Sequence, residues 1–213
     1  MNEKKEISPF VVKRFPRYYR FLTKLKQNRE MRISSGELAK RMGLTASQIR
    51  QDFNTFGGFG QQGYGYNTAE LCDSIAKIMG LDHPHSIILI GAGNLGRAVA
   101  GHMNFKDYGF VLSGVFDKNE SFTGQIIKDM PIRNLSGLEN FCKDNAPQAA
   151  ILCIPDTEAE KIVPQLISYG IRAFWNFSHY DIALNHQNVC VQNVHLSDSL
   201  MRLCFDMKQS QKQ

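Results

Sequence analysis

Apolar residues recur at helical spacing through the first third of the chain, and short unbroken apolar runs follow. The first helical stripe consists of Phe15, Tyr18, Leu22 and Leu25. Ser8-Pro9 is a typical helix start, and Pro16 predicts that the regular part of this helix begins only there. Three further stripes predict short helices: Leu38, Ala39 and Met42; Ala46, Ile49, Phe53 and Phe56; Leu71, Ile75, Ile78 and Met79.

Two of these helices carry matching start signals. Residues 34–37 read Ser-Ser-Gly-Glu and residues 45–48 read Thr-Ala-Ser-Gln, so each segment is a capping box. Gly43 between them accepts the left-handed conformation that ends a helix. The pair predicts a helix-turn-helix whose second helix would enter the major groove of DNA. A small helical hairpin with a polar face is the alternative.

Residues 56–66 contain five glycines and four aromatic residues. Glycine permits tight turns and short aromatic strands pair well, so this segment suits the wing of a winged helix. A linker is the alternative, and Thr68 is expected to cap the helix that follows. The predicted DNA contacts are Arg14, Ser34, Ser35, Ser47, Gln48, Arg50, Gln51, Asn54, Phe59, Gly60, Gln62, Gly63 and Tyr64.

The charge of the chain supports this placement of DNA binding. Residues 1–84 carry 14 Lys and Arg against 8 Asp and Glu, whereas residues 85–213 carry 11 against 12. Attraction to a polyanion therefore belongs to the first part. The 213 residues suffice for one large domain or for two small ones, each with its own core.

Other features of the composition exclude several classes of protein. No apolar run reaches the roughly 18 residues of a membrane-spanning helix, and the first residues lack a hydrophobic signal region. We therefore expect a cytoplasmic protein. The five cysteines are scattered without a C-x-x-C pair, which argues against a disulfide framework and a zinc site. We expect buried, reduced thiols and no bound metal, and a redox role for one cysteine is the alternative.

The second part of the chain opens on a dinucleotide-binding pattern. A continuous apolar strand, Ser86–Ile90, runs into a G-x-G-x-x-G turn and a helix. Such a turn lets a pyrophosphate approach the backbone at a helix N-terminus. The turn consists of Gly91, Ala92, Gly93, Asn94, Leu95 and Gly96. Asp117 ends the next strand, where a carboxylate accepts hydrogen bonds from the hydroxyls of an adenosine ribose. NAD(H) is therefore favoured over NADP(H), although the neighbouring Lys118 weakens this preference slightly. Coenzyme A is the alternative ligand.

Alternating strands and helices continue to the end of the chain, as in a parallel α/β sheet of the Rossmann type. Ligands bind at the carboxyl ends of such strands. That rule places Ile154, Pro155, Asn176, Phe177 and Ser178 near the nicotinamide half. The predicted organisation is a DNA-binding domain (1–84), a nucleotide domain (85–195) and a C-terminal dimerisation helix (196–213).

An enzyme that transfers hydride needs a proton relay beside the nicotinamide. The sequence offers only His179 with Asp181, and a histidine satisfied within a loop is the favoured interpretation. The nucleotide fold also uses all of the second part, which leaves no substrate domain. We therefore predict no catalytic residues, and an NAD-dependent oxidoreductase is the alternative.

The motifs together resemble the Rex family of redox-sensing transcriptional repressors, over nearly the whole chain. The resemblance rests on Arg-Phe-Pro-x-Tyr (14–18), Ile-Ser-Ser-x-Glu-Leu-Ala (33–39), Gln-Ile-Arg-x-Asp-Phe (48–53), Phe-Gly-x-Phe-Gly (56–60) and Gly-Ala-Gly-Asn-Leu-Gly-Arg (91–97). It implies a homodimer that binds palindromic operator DNA when NADH is scarce and releases it when NADH binds. It also implies a C-terminal helix exchanged between subunits.

The chain departs from the pattern of that family at several positions. Gln51 replaces a usual lysine, and residues 61–62 are Gln-Gln at a wing tip that is often basic. The positions that couple cofactor binding to the DNA domain in that family align with Arg20, His102 and His195. His195 stands where the family usually carries an aspartate just before the last helix. Residues 178–179 are Ser-His, where the family usually carries a proline after Asn-Phe. We expect the chain to sense a nucleotide as the family does, but to switch at a different ratio of NADH to NAD+, or even to prefer a different ligand. One hypothesis is that protonation of either coupling histidine repels Arg20.

Overall fold

The computed structural model describes residues 8–55 and 64–211, which form two compact units divided between Asp82 and His83. In the first unit the helices are α1 (Pro9–Val12), α2 (Phe15–Gln27), α3 (Ser35–Met42), α4 (Ala46–Asn54) and α5 (Thr68–Ile78). The strands β1 (Arg32–Ile33) and β2 (Tyr66–Asn67) pair antiparallel. Most of the predicted wing, including Phe59, Gly60, Gln62 and Gly63, lies outside the described residues.

The core of the first unit contains most residues of the predicted apolar stripes, but Ile78 is exposed and Phe56 lies outside the described residues. The first stripe is buried throughout and packs with α3, α4 and α5. The ring of Tyr18 meets that of Phe53 edge-on, with centroids 5.1 Å apart, so α2 and α4 are joined at the centre. Aromatic pairs in this geometry add stabilisation beyond the area that they bury.

Both predicted helix starts are observed, but each uses half of the capping box. Ser34 Oγ accepts from the amide of Glu37 at 3.0 Å, and Thr45 Oγ1 accepts from that of Gln48 at 3.2 Å. The reciprocal side-chain bonds are replaced, because Glu37 accepts from Arg41 and Gln48 donates to Asp52. Gly43 has the expected positive φ of 64°.

The predicted cap at Thr68 is wrong by one residue. Asn67 Oδ1 accepts from the amides of Ala69 and Glu70, so Asn67 is the N-cap of α5. Thr68 instead lies buried within the helix. Asn caps at least as well as Thr, and its carbonyl already lies in the preceding strand β2.

The second unit is a sheet with helices on both faces. Its strands are β3 (His85–Ile90), β4 (Phe110–Asp117), β5 (Ile126–Ile127), β6 (Met130–Asn134), β7 (Ala149–Leu152), β8 (Ala173–Asn176) and β9 (Cys190–Asn193). Its helices are α6 (Asn94–His102), α7 (Leu138–Asn145), α8 (Asp156–Ser168), α9 (Ile182–Asn185) and α10 (Leu196–Ser210). The sequence pattern did not predict β5, β6 and α9.

The order of the strands locates the binding site. Among the described residues the sheet runs β5-β6-β4-β3-β7-β8-β9, parallel except for the antiparallel pair of β5 and β6. Without β5 this is the doubly wound Rossmann order, whose direction reverses between β3 and β7. Ligands bind at the carboxyl ends of the strands at this point. Along β3, Ile87 and Leu89 pack towards α6, while Ile88 and Ile90 pack towards α7 and α8.

Candidate functional sites

The helix-turn-helix unit is organised around a buried carboxylate, that of Asp52 on α4. Arg14 binds it with two hydrogen bonds of 2.7 Å, from Nε to Oδ2 and from Nη2 to Oδ1. The Tyr18 hydroxyl donates to Oδ2 at 2.7 Å and Gln48 Nε2 donates to Oδ1 at 2.9 Å. Four donors therefore converge on one carboxylate, which fixes α4 against the start of α2 and against Arg14 just before it.

The electrostatics of this network follow from burial and pairing. Burial by itself would raise the pKa of Asp52, but the hydrogen bonds from Arg14, Tyr18 and Gln48 outweigh it and hold the pKa below its usual value. Burial also raises the pKa of Tyr18, and the neighbouring Asp52 raises it further. Asp52 is thus ionised at neutral pH and Tyr18 is protonated.

The predicted DNA contacts fall into two sets. Ser47, Arg50, Gln51 and Asn54 are exposed on α4, as required for a recognition surface. Arg50 Nη1 donates to Ser35 Oγ at 3.1 Å, which links the two helices of the motif. The other predicted DNA-contacting residues in the described part of the chain also make hydrogen bonds within the protein.

Arg14 and Gln48 belong to this second set, because both hold Asp52. The Arg14 side chain nevertheless keeps 28% of its surface exposed, so one of its edges can still face a phosphate. Ser34 is exposed while it caps α3. Tyr64 is 71% exposed, and its carbonyl accepts from Arg32 Nη1 at 3.2 Å.

The three glycines of the nucleotide turn have separable roles. At Gly91, where φ is 98°, a Cβ would lie 2.4 Å from the carbonyl oxygen of Cys153. At Gly96 a Cβ would lie 1.8 Å from the carbonyl oxygen of Gly91. Nothing lies within 4 Å of a Cβ added at Gly93, which faces the cleft. The outer glycines therefore allow the chain to pack, and the middle one leaves space for a ligand.

The backbone at this turn is suited to an anion. Helix α6 begins after Gly93 with no side chain capping its first turn. Its free amides and the positive end of the helix dipole therefore face the cleft. Arg97 fixes the turn from behind, since Nε donates to the carbonyl oxygen of Ala92 at 2.9 Å. The cradle thus fits the pyrophosphate of a dinucleotide.

Asp117 joins the turn to the end of β4. Its Oδ2 accepts from the amide of Ala92 at 2.6 Å, and its Oδ1 accepts from that of Asn119 at 2.8 Å. A carboxylate has about four acceptor positions, so both oxygens can still accept from ribose hydroxyls. The two amides fix the orientation that such recognition needs.

The cleft beside Asp117 has a volume of about 610 Å³. Gly91, Gly93, Asp117, Lys118, Ile154 and Pro155 line it, and all six are among the residues predicted to bind the cofactor. The structure adds Phe122, Leu135, Ser136, Glu158, Lys161 and Gln165 to the lining. The helical spacing of residues 158, 161 and 165 along α8 was the available signal, because it puts them on one face next to Pro155.

The residues predicted at the end of β8 have a different environment. Asn176, Phe177 and Ser178 are not among the residues that line the cleft. Asn176 is buried and donates to Tyr180 and Asn193, while its Oδ1 accepts from the amide and the hydroxyl of Ser178. Their part in nucleotide binding stays a prediction.

Cys153 also lines the cleft, directly after β7. Burial raises the pKa of its thiol to about 12. The thiolate is the nucleophilic form, so this cysteine is a poor nucleophile at neutral pH. Within the described residues no group of His, Cys, Asp and Glu side chains is arranged to hold a metal ion.

The histidines near the chain end pack on each other. His179 and His195 have ring centroids 4.7 Å apart. His195 Nε2 lies 3.1 Å from the carbonyl oxygen of Ser178, and Nδ1 lies 3.5 Å from Asp198. In the described part of the chain no hydrogen bond joins the ring of His179 to Asp181, the pair that an enzyme would need. Exposed His102 ends α6, and exposed Arg20 belongs to the first unit.

Comparison with known proteins gives matches in both units. The family described as "Putative DNA-binding protein N-terminus" matches residues 6–54, and the family described as "CoA binding domain" matches residues 82–180. The redox-sensing transcriptional repressor Rex of Thermoanaerobacter pseudethanolicus is 46% identical over 99% of this chain and 94% of its own length. The Rex protein of Clostridium perfringens is 45% identical over 96% of both chains. The chain belongs to the Rex family.

Solved structures of the Rex family support the fold. The crystal structure of RSP in complex with β-NAD+ and operator DNA has a TM-score of 0.90 and 45% identity, and the match covers 97% of this chain and 95% of that one. The structure of RSP with β-NADH has a TM-score of 0.85 and 42% identity, covering 96% of both chains. The predicted family and fold class are confirmed. None of the helices in the described part is long and apolar enough to cross a membrane.

Proposed function

We propose that this Rex-family protein is a transcriptional repressor that senses the ratio of NADH to NAD+. It binds palindromic operator DNA as a homodimer when NADH is scarce, and it releases the DNA when NADH binds. One observation supports the proposal above all: the chain combines a nucleotide-binding glycine turn with a helix-turn-helix. A hydrogen bond from the amide of Ala92 to Asp117 holds that turn in place. A nucleotide cleft in the same chain as a DNA-binding domain allows nucleotide occupancy to change DNA affinity.

The roles of the residues follow from their chemistry. The amides at the start of α6 would hold the pyrophosphate, and Asp117 would accept from the ribose hydroxyls. Ile154 and Pro155 offer an apolar surface at the end of β7. The bound nucleotide supplies the redox information, because NADH and NAD+ differ by a hydride and a positive charge on the nicotinamide ring. The protein needs only to bind the two forms with different affinity.

We assign no catalytic residue and place the protein in the cytoplasm, where its DNA and nucleotides are found. The repressor function named for the relatives supports this assignment. Substrate-dependent oxidation of NADH by the purified protein would contradict it.

Coenzyme A is the second candidate ligand, because the family described as a CoA binding domain matches residues 82–180. Asp117 favours the dinucleotide, since a carboxylate repels the 3′-phosphate that coenzyme A carries on its adenosine ribose. Competition between coenzyme A and NADH for the purified protein separates the two ligands.

Titration of palindromic operator DNA at fixed salt, with and without each nucleotide, tests the proposal. NADH should weaken operator binding, and excess NAD+ should partly restore it. The variant Gly93→Ala should lose the response to NADH, because its Cβ occupies the space left for the pyrophosphate. We expect NADH to bind at least about tenfold more weakly, which corresponds to about 1.4 kcal/mol.

The matched control is Gly101→Ala on the same helix, where an added Cβ would meet Ile127 at an ordinary 3.8 Å. This control should respond to NADH like the natural protein. Operator binding that is indifferent to NADH in the natural protein would overturn the proposed function.

A further inference from the structure

An ion-pair cluster lies on the wall of the cleft next to Asp117. Lys118 Nζ lies 3.0 Å from Glu158 Oε2, and Lys161 Nζ lies 3.4 Å from Glu158 Oε1. All three side chains line the cleft. Glu158 therefore divides its two oxygens between two ammonium groups, one from the end of β4 and one from its own helix, α8.

The two lysines create a conflict at a nucleotide site. A carboxylate at the end of the second strand selects the free 2′-hydroxyl of NAD(H), whereas a cation nearby accommodates the 2′-phosphate of NADP(H). Asp117 supplies the first signal, and Lys118, the next residue, supplies the second. Lys161 adds another positive charge on the same wall. Left unpaired, the lysines would weaken the selectivity that Asp117 provides.

Glu158 is placed to remove this conflict. Its side chain is 30% exposed, whereas those of Lys118 and Lys161 are 67% and 71% exposed, so the carboxylate is the least exposed member of the cluster. Hydrogen bonds from Lys118 and Lys161 lower its pKa, which keeps it ionised at neutral pH. It also lies in the first turn of α8, where the helix dipole stabilises an anion.

We propose that Glu158 is a specificity-determining residue that engages Lys118 and Lys161 and so excludes nucleotides with a 2′-phosphate. The inference rests on the proposed function, because it concerns the ligand of the same cleft. A phosphate entering here must displace Glu158 from the lysines or lie against its negative charge. Either outcome disfavours NADPH relative to NADH.

Binding of NADH and of NADPH to the full-length protein tests this inference, with each affinity measured by calorimetry at low salt. In Glu158→Gln the ratio of NADPH affinity to NADH affinity should rise about tenfold, an effect of the size expected for unit charges a few ångströms apart near a surface. The gain should shrink at high salt, because exposed charges are screened. Adding Lys118→Met to Glu158→Gln should reverse most of the gain.

The matched control is Glu160→Gln, which makes the same charge change on the same helix at a residue outside the cleft lining. An equal rise in this control would show a general charge effect and overturn the inference. An unchanged ratio in Glu158→Gln, with both nucleotides still bound, would overturn it while the proposed function stands. If the natural protein binds neither nucleotide, the proposed function fails and the inference with it.

Discussion

The carboxylate of Asp52 joins α4 to Arg14 and to Tyr18 of α2. Replacing it by Asn keeps the shape but removes the charge that Arg14 and Tyr18 bind. Hydrogen bonds to charged groups contribute about 1.5 to 3 kcal/mol, so Asp52→Asn should destabilise the first unit by about 2 to 3 kcal/mol. Hydrogen exchange of the α4 amides measures this loss, and the fluorescence of the single tryptophan, Trp175, monitors the second unit as an internal control.

The same substitution should change the response to acid. The folded-state pKa of Asp52 lies below its usual value, so its contribution is complete above the unfolded-state pKa, about 3.9. It is lost as the pH falls through the folded-state pKa. The difference in stability between the natural protein and Asp52→Asn should therefore shrink below about pH 4. A difference that stays constant down to pH 3 would contradict this assignment of charge.

Helices whose start and stop signals lie close together in the sequence were predicted correctly. The caps at Ser34 and Thr45 and the stop at Gly43 depend on neighbouring backbone, and all three are observed. The pair β5 and β6 was missed because it is short and closes on Lys128, a non-glycine residue at a φ of 48°. Nothing in the local sequence marks that turn.

Long-range side-chain contacts could not be predicted. The motif 48–53 contains Asp52, but only the fold shows that Arg14 meets it from 38 residues away. The glycine turn and Asp117 were predicted to bind the nucleotide. The wall formed by Glu158 and Lys161 could not be predicted, because it depends on where α8 lies in the fold. The spacing of these residues indicates a shared face and does not indicate what that face covers.

The exposed face of α4 leads to a prediction about salt. Gln51 is exposed on this face. If this face meets the DNA backbone, Gln51→Lys adds one phosphate contact, and the slope of log affinity against log salt should steepen by about 0.9. Operator titrations at several salt concentrations measure it. Gln187→Lys, which adds the same charge on an exposed residue of the second unit, should steepen the slope less. Equal slopes in both variants would argue against contact at position 51.

At the scale of the whole molecule, α10 is the element whose apolar residues lack cover within the described chain. Leu196, Leu200, Leu203 and Met207 lie 54% to 68% exposed and repeat at helical spacing, which gives one continuous apolar stripe. A contiguous apolar surface of this kind marks an interface. We propose that α10 is the dimerisation helix, buried against a second copy of the chain.

This assignment predicts that the dimer depends on the stripe. Burial of one leucine contributes about 1.5 to 3 kcal/mol, and a charge placed in the interface adds a desolvation cost. Leu200→Glu combined with Leu203→Glu should therefore shift the protein to monomers in sedimentation measurements. It should also lower affinity for a palindromic operator much more than for a single half-site. Gln209→Glu adds charge on the opposite face of α10 and should remain dimeric. A dimer that survives both leucine substitutions would place the interface elsewhere.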